Sequence, residues 1–383
     1  MPNSSARLPQ FPWDRLKPYA AKADAHGGGR VDLSVGTPVD PTPLSVRRAL
    51  TEAADSPGYP TTHGTARLRE AASAWMARAL GVTVEPVSVL PLIGSKELVA
   101  GLPAQLGLGA GDAVAYPTPA YPTYEIGALL AGATPVPLSD NVLIEDWVAG
   151  GHASEGGAPR HVRLLWLNSP GNPHGRVYPV RTLREIVAWA RSCGVIIASD
   201  ECYLTLGWEG NDPVSVLHPD VCGGTHEGLI AVHSLSKRSN LAGYRSAFLA
   251  GDPALVAGLL EVRKHAGLMM PGPVQAATGA ALDDDVHAAE QKERYRARRE
   301  VLRAALLGAG FRIDHSEAGL YLWASRIVDG EPEPAWDTLA HLAGLGILAA
   351  PGEFYGSGGE HHVRLALTAT DERIAAAAAR LGA

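Results

Sequence analysis

Cysteine is scarce: the 383-residue chain has three, Cys193, Cys202 and Cys222, and no Cys-x-x-Cys pair. An odd number without paired spacing argues against a disulfide framework. Basic charge is not in excess either, with a net charge of −7 and a pI of about 6.1. General nucleic-acid binding needs a basic patch or a high pI and is disfavoured. No window approaches the roughly 18 uninterrupted apolar residues of a membrane span. The opening MPNSSARLPQFPWDRLKPYA lacks the apolar core of a signal peptide, so a reducing cytoplasm is the expected location. His315, His361 and His362 lack the paired spacing of a zinc site, and no internal repeat is visible.

What is present is a regular alternation. The apolar runs VSVLPLI (87–93), AVAYP (113–117), HVRLLWLN (161–168), GVIIASD (194–200) and GLIAVHS (228–234) are each followed by a helical pattern. Runs apolar on both faces suit parallel strands with helices on each side. Alternation over 59–267 predicts α/β architecture. After Pro271 the pattern becomes a smaller α+β unit, opening with a long charged helix over 286–307. The expected division is a large domain over 45–272 and a small one built from 1–44 and 273–383. The acidic DDD (283–285) suits a helix start. RYRARRE (294–300) reads as a solvated helix face, and AGGHASEGGAPR (149–160) as a surface loop.

In open α/β sheets, ligands sit at the carboxyl ends of the strands, and chemistry-bearing residues follow these runs. Gly-Ser-Lys after the first run places the Ser95 and Lys96 backbone N–H groups at a helix start, where they can hold a phosphate or simply end in a Ser-capped turn. Tyr121 can stack on a flat ring or pack in the core. Asn172, in NSPGNPHG, sits in a turn and can donate its amide N–H to an oxygen. Asp200 ends an apolar strand, where an unpaired carboxylate is costly and a cationic partner or a capping role is required. Tyr203 can reach the same place. Lys237 lies at the mouth of another apolar strand, where an amine can be kept neutral or condensed with an aldehyde. Together with Ser234 and Arg245 as phosphate ligands, this set describes pyridoxal 5′-phosphate.

The chain resembles the aminotransferases of the fold-type-I pyridoxal-phosphate family. The resemblance covers nearly its whole length and rests on LSVGTP (33–38), YPTTHGTARLREA (59–71), GSKE (94–97), YPTY (121–124), NSPGNPHG (168–175), SDECY (199–203), SLSKRSNLAGYR (234–245) and VRLAL (363–367). It implies a large, mostly parallel-sheet domain with a smaller α+β domain. It makes Lys237 the Schiff-base lysine and Asp200 the partner of the cofactor's ring nitrogen. Tyr203 and Asn172 then face the ring hydroxyl oxygen, and Tyr121 stacks on the ring. Ser95, Lys96, Ser234 and Arg245 hold the phosphate, and no metal is needed. Arg364 clamps a substrate α-carboxylate, with Gly36 lining that pocket. A homodimer is implied, in which Tyr59 reaches the neighbouring site. His174 departs from the family's usual threonine and reads as a local change of packing.

Within the family, the chain is most similar to actinobacterial N-succinyldiaminopimelate aminotransferases, in LPQFPWDRLKPYAAKA, DECYLTLGW, EVRKHAGLMMPGPVQ and DHSEAGLYLWA among others. That implies transamination between glutamate and N-succinyl-2-amino-6-oxopimelate, in diaminopimelate and lysine biosynthesis. Arg263, Lys264 and Tyr321 fall in these segments and are candidates for reading the distal carboxylate and succinyl group. Another amino-acid aminotransferase, a carbon–sulfur lyase or an aminocyclopropane-carboxylate-synthase-like enzyme would use the same cofactor set. A transcription regulator would need a DNA-binding segment ahead of Leu33, and that stretch is short and not basic.

Overall fold

A computed structural model of the chain describes residues 8–139 and 161–382, so the stretch 149–160 lies outside the described residues. A short strand β1 (Val31–Asp32) comes first. β2 (Val89–Ile93), β3 (Asp112–Thr118), β4 (Thr134–Ser139), β5 (His161–Asn168), β6 (Ile196–Asp200), β7 (Leu229–Ser234) and β8 (Ser246–Gly251) form a seven-stranded sheet in the order β2-β8-β7-β6-β5-β3-β4. The run from β4 through β3, β5 and β6 to β7 is parallel. β8 is antiparallel to both β7 and β2.

The stretch 87–93 thus points the same way as β3–β7, as its apolar pattern suggested, but it pairs only with β8, the one reversed strand of this sheet, which the apolar runs did not reveal. β7 and β8 are joined only by the short segment that carries Lys237 and Arg245, too short for a parallel crossover of a dozen or more residues. β8 must turn back, and β2 pairs with it. Residues alternate between two cores: Leu229 and Ala231 of β7 pack with Trp75 and Phe248, while Ile230 and Val232 pack with Tyr124 and Trp166. Each fully buried side chain of this size contributes roughly 1.5–3 kcal/mol. Such burial outweighs the cost of ordering the strand ends, where the polar residues sit.

A second sheet contains β9 (Phe311–Ile313), β10 (Tyr321–Val328), β11 (Glu331–Pro332), β13 (Ala350–Pro351) and β14 (Val363–Ala366); the intervening β12 (Ile347–Leu348) pairs in parallel with β1. Its order is β11-β10-β14-β13, with β9 on β10. The Ala366 N–H also donates to the Leu33 carbonyl at 2.8 Å. The segment around Gly36 is thus fastened to β14, the strand that carries Arg364.

The long helix runs Asp285–Gly308, and Asp284 caps it by accepting from the Val286 and His287 N–H groups. RYRARRE is only in part the solvated face its charge suggested: Arg294, Arg296 and Glu300 are exposed, but two of its arginines turn inward. Arg298 and Arg299 are buried, Arg298 bonded to Asp40 and Asp371 and Arg299 to Glu209 and Ser316. Their partners lie far away in sequence, so local charge density misread the face. Among the described residues, no helix is long and apolar enough to cross a membrane.

Candidate active site

The carboxyl ends of β5, β6 and β7 bring the expected residues to one place. At the end of β5, Asn168 organises the NSPGNPHG turn. Its Oδ1 accepts from the Asn172 N–H at 2.8 Å, and its Nδ2 donates to the Asp200 carbonyl at 3.0 Å. Asn172 is thereby buried with its Oδ1 accepting from Arg364 Nη1 at 2.9 Å. His174 is buried in the same turn. Its Nδ1 accepts from the Arg176 N–H at 3.1 Å, and a Cβ on Gly171 would overlap its ring. The histidine fills space beneath the turn, as a packing change would.

Asp200 is buried at the end of β6, and burial is the main reason its carboxyl is raised above the ordinary range. Its Oδ1 accepts from the Cys202 N–H at 3.2 Å, and its Oδ2 accepts from Tyr124 Oη at 2.9 Å. Among the described residues it has no ion-pair partner. Tyr124 was legible only as part of YPTY, with Tyr121 taking the role. The i, i+3 spacing at a helix start, which sets Tyr124 beside Tyr121 with ring centroids 5.8 Å apart, was the available signal. Tyr121 is half-buried, and its phenol is pushed up to about 12, mainly by burial.

Lys237 follows β7 on a short helix that Ser234 caps through its Oγ. Its Nζ donates to the Gly36 carbonyl. Burial lowers the ammonium pKa; Tyr321 and Cys202 oppose the shift, and Arg364 and Arg245 add to it. Arg245 has a left-handed backbone, φ 56°, and its guanidinium lies against Gly94, where any Cβ would overlap it. Gly94, φ 78°, precedes the helix Ser95–Gln105 without a side-chain cap. Arg245 therefore meets the N-terminus that carries the Ser95 and Lys96 N–H groups, a place suited to an anion.

Arg364 is buried, and its Nη2 donates to the Ser34 carbonyl at 2.8 Å. Its guanidinium carbon lies 3.8 Å from the Tyr321 ring centroid and 4.8 Å from that of Tyr355. Its Nε has no partner among the described residues. A buried cation with a spare donor between two aromatic faces can take a carboxylate. Tyr203 is buried with its Oη 3.1 Å from Tyr321 Oη. Tyr59 is 95% exposed and makes none of these contacts. Arg263 is elsewhere: fully buried, it grips both Glu97 oxygens at 2.8 Å, so it is not available to a substrate. Lys264 is on the surface with Glu261. Of these three distal candidates, only Tyr321 reaches the site.

The model of the family "Aminotransferase class I and II" matches residues 29–381. The chain belongs to this family. Aminotransferases of this class depend on pyridoxal phosphate and act on small amino and keto acids. Among relatives of this aminotransferase, 4-dedimethylamino-4-oxo-anhydrotetracycline transaminase OxyQ of Streptomyces rimosus is 57% identical over 98% of this chain and 99% of its own. A probable aminotransferase of Mycobacterium tuberculosis is also 57% identical, over 98% of this chain and 86% of its own. Of the solved structures, the N-succinyldiaminopimelate aminotransferase of Mycobacterium tuberculosis superposes with a TM-score of 0.82 at 26% identity, covering 96% of this chain and 98% of that one.

The donor set of this aminotransferase fits the cofactor. A buried carboxylate with no ion-pair partner among the described residues can meet a protonated ring nitrogen, and an amine of lowered pKa stands near a phenol pair. An arginine meets an uncapped helix start that can take a phosphate.

Proposed function

We propose that this aminotransferase exchanges an amino group between glutamate and N-succinyl-2-amino-6-oxopimelate, in the cytoplasm, serving diaminopimelate and lysine biosynthesis. The observation that carries the reading is Arg364, buried between Tyr321 and Tyr355 with a spare Nε. A 2-amino or 2-oxo acid presents the α-carboxylate such a group takes, and the lowered pKa of Lys237 suits proton transfer at the carbon beside it.

Pyridoxal phosphate, when bound, supplies the aldehyde that carries the amino group and the ring that accepts electrons. Asp200 pairs with its ring nitrogen, and Tyr203 and Asn172 face its ring oxygen. Tyr121 stacks on the ring; Ser95, Lys96, Ser234 and Arg245 hold the phosphate. Lys237 Nζ would take the proton from the substrate α-carbon as general base and, as general acid, deliver it to the carbon that carried the cofactor's aldehyde. Arg364 orients that carbon by its two-pronged grip on the carboxylate, and Gly36 lines the pocket. The large domain spans 45–272 and the small one 1–44 with 273–383. The active unit is a homodimer in which Tyr59 reaches the phosphate of the neighbouring subunit.

The likeness to N-succinyldiaminopimelate aminotransferase supports the acceptor, and 32% identity to LL-diaminopimelate aminotransferase of Aquifex aeolicus over 98% of this chain supports only a diaminopimelate-type substrate, without the succinyl group. A second reading has an oxo-anhydrotetracycline as acceptor, favoured by the 57% identity to OxyQ. Both share the glutamate half-reaction. A panel of half-reactions decides between them. Cofactor-loaded protein, first aminated by glutamate, is offered each oxo compound while its visible absorbance is followed. Recovery of the original spectrum with N-succinyl-2-amino-6-oxopimelate supports the first reading. Recovery only with the tetracycline ketone overturns it.

A further inference from the structure

The two sheets meet in the active site through a pair of phenols. Tyr203 follows β6 of the large sheet. Tyr321 opens β10 of the smaller one, where Trp323, two residues on, is the register partner of Arg364. Their hydroxyl oxygens are 3.1 Å apart and their rings meet edge-on at 73°. Arg364 lies 3.8 Å over the Tyr321 ring. A Cβ on Gly36 would overlap the Tyr321 hydroxyl, and the Gly36 carbonyl accepts from Lys237. Tyr321 thus touches Arg364, the Gly36 wall that accepts from Lys237, and Tyr203 at once.

A phenol pair with one hydrogen bond has a direction, and here the charges set it. Tyr321 faces Arg364, Lys237, Cys202, Tyr121, Tyr295 and Tyr355. Burial raises the Tyr321 phenol, but Arg364, Lys237 and the bond from Tyr203 outweigh it, so its pKa falls below the ordinary value. Burial and the proximity of Tyr321 push the Tyr203 phenol up. Either oxygen can donate in this pair; with the Arg364 cation 3.8 Å over its ring, Tyr321 Oη is the better acceptor, and we assign the Tyr203 O–H as donor while Arg364 carries an uncompensated charge.

We propose that Tyr321 is a positioning residue that carries the state of Arg364 to the Tyr203 hydroxyl. When a substrate carboxylate neutralises Arg364, Tyr321 holds its own proton more firmly and becomes the donor. The Tyr203 proton is then free to point towards the cofactor side of the pocket. No bond beyond hydrogen bonds forms or breaks. This rests on the reading that Arg364 takes the α-carboxylate and Tyr203 faces the cofactor's ring oxygen.

The test is a spectrophotometric pH titration of the bound cofactor in the holoenzyme, with and without glutarate, which has the carboxylates of glutamate but no amino group. Wild type is compared with Tyr203→Phe, Tyr321→Phe and the double variant. Each substitution removes one oxygen from a buried ring, and the cofactor absorbance itself reports a folded, loaded protein. Freed of its acceptor in Tyr321→Phe, Tyr203 donates to the cofactor without ligand, and the apparent pKa falls by about 0.5–1 unit, the worth of one hydrogen bond. With glutarate bound, the gap from wild type closes. In the Tyr203→Phe background, Tyr321→Phe has no further effect. If Tyr203→Phe leaves the pKa in place with glutarate bound, the reading of Tyr203 falls and the proposal with it. If Tyr203→Phe moves the glutarate-bound pKa but Tyr321→Phe does not move the unliganded one, or if the two effects simply add, the proposal alone is overturned.

Discussion

Tyr124 Oη donates a 2.9 Å hydrogen bond to Asp200 Oδ2, between two buried side chains. The bond spans 76 residues and ties the start of the helix Thr123–Ala131 to the end of β6. With the Cys202 N–H on Oδ1 it holds the carboxylate in place from both oxygens, as the proposed pairing with a ring nitrogen requires. A hydrogen bond to a charged group is worth roughly 1.5–3 kcal/mol. Tyr124→Phe should therefore retain the cofactor and lower kcat with glutamate about 10- to 100-fold. Steady-state kinetics on the loaded variant checks this, and near-normal turnover would remove Tyr124 from the site.

Arg364 offers a planar fork and an aromatic sandwich that lysine cannot copy. Arg364→Lys should raise KM for glutamate about 10- to 100-fold with a smaller change in kcat, the pattern of lost substrate binding. An unchanged KM would place the carboxylate elsewhere.

Glu201 and His233 face each other at 3.5 Å beneath the site, both buried. Burial pushes Glu201 up to about 7 and His233 down to about 3, so below about pH 7 the contact joins a neutral carboxyl and a neutral imidazole rather than an ion pair. A glutamate whose folded value lies above its ordinary 4.5 stabilises the fold fully below that value and loses the contribution as pH rises through about 7. The wild-type Tm should therefore fall over that interval relative to Glu201→Gln, which does not titrate. Parallel Tm–pH curves for the two proteins would contradict the assignment.

Tyr59 is almost wholly exposed, while the other proposed cofactor ligands cluster within one chain. If it serves a neighbouring subunit, Tyr59→Phe and Lys237→Ala proteins, each weak alone, should regain activity when mixed. One site of the mixed dimer then carries both native residues. No recovery after subunit exchange, confirmed by separating differently tagged chains, would argue against sharing.

Much of this site was legible because its residues end apolar runs. Asp200, Ser234 and Lys237 follow segments buried on both faces, and strand ends are where open α/β sheets place ligands. Strand direction was not legible, since a run apolar on both faces looks the same either way. β8 turns back after Arg245 for want of chain, and it alone of the seven strands runs against the others, with β2 restored to their direction beyond it. Arg263 and Arg298 were misread because their partners are distant: Glu97 lies 166 residues from Arg263, and Asp40 lies 258 from Arg298. Charge read locally looks solvated until the fold supplies the opposite charge. Tyr124 needed the register of its helix start against β6, which spacing alone does not provide.

The most direct measurement is the 2-oxoglutarate released in a single turnover when cofactor-loaded protein is mixed with glutamate alone. Wild-type protein should release it in an amount stoichiometric with its active sites. Lys237→Ala should release it at least about 100-fold more slowly, the scale of a lost acid–base group. Release from Lys237→Ala at the wild-type rate, or none from wild type, would contradict the assignment of Lys237 as the proton carrier of a glutamate-using aminotransferase.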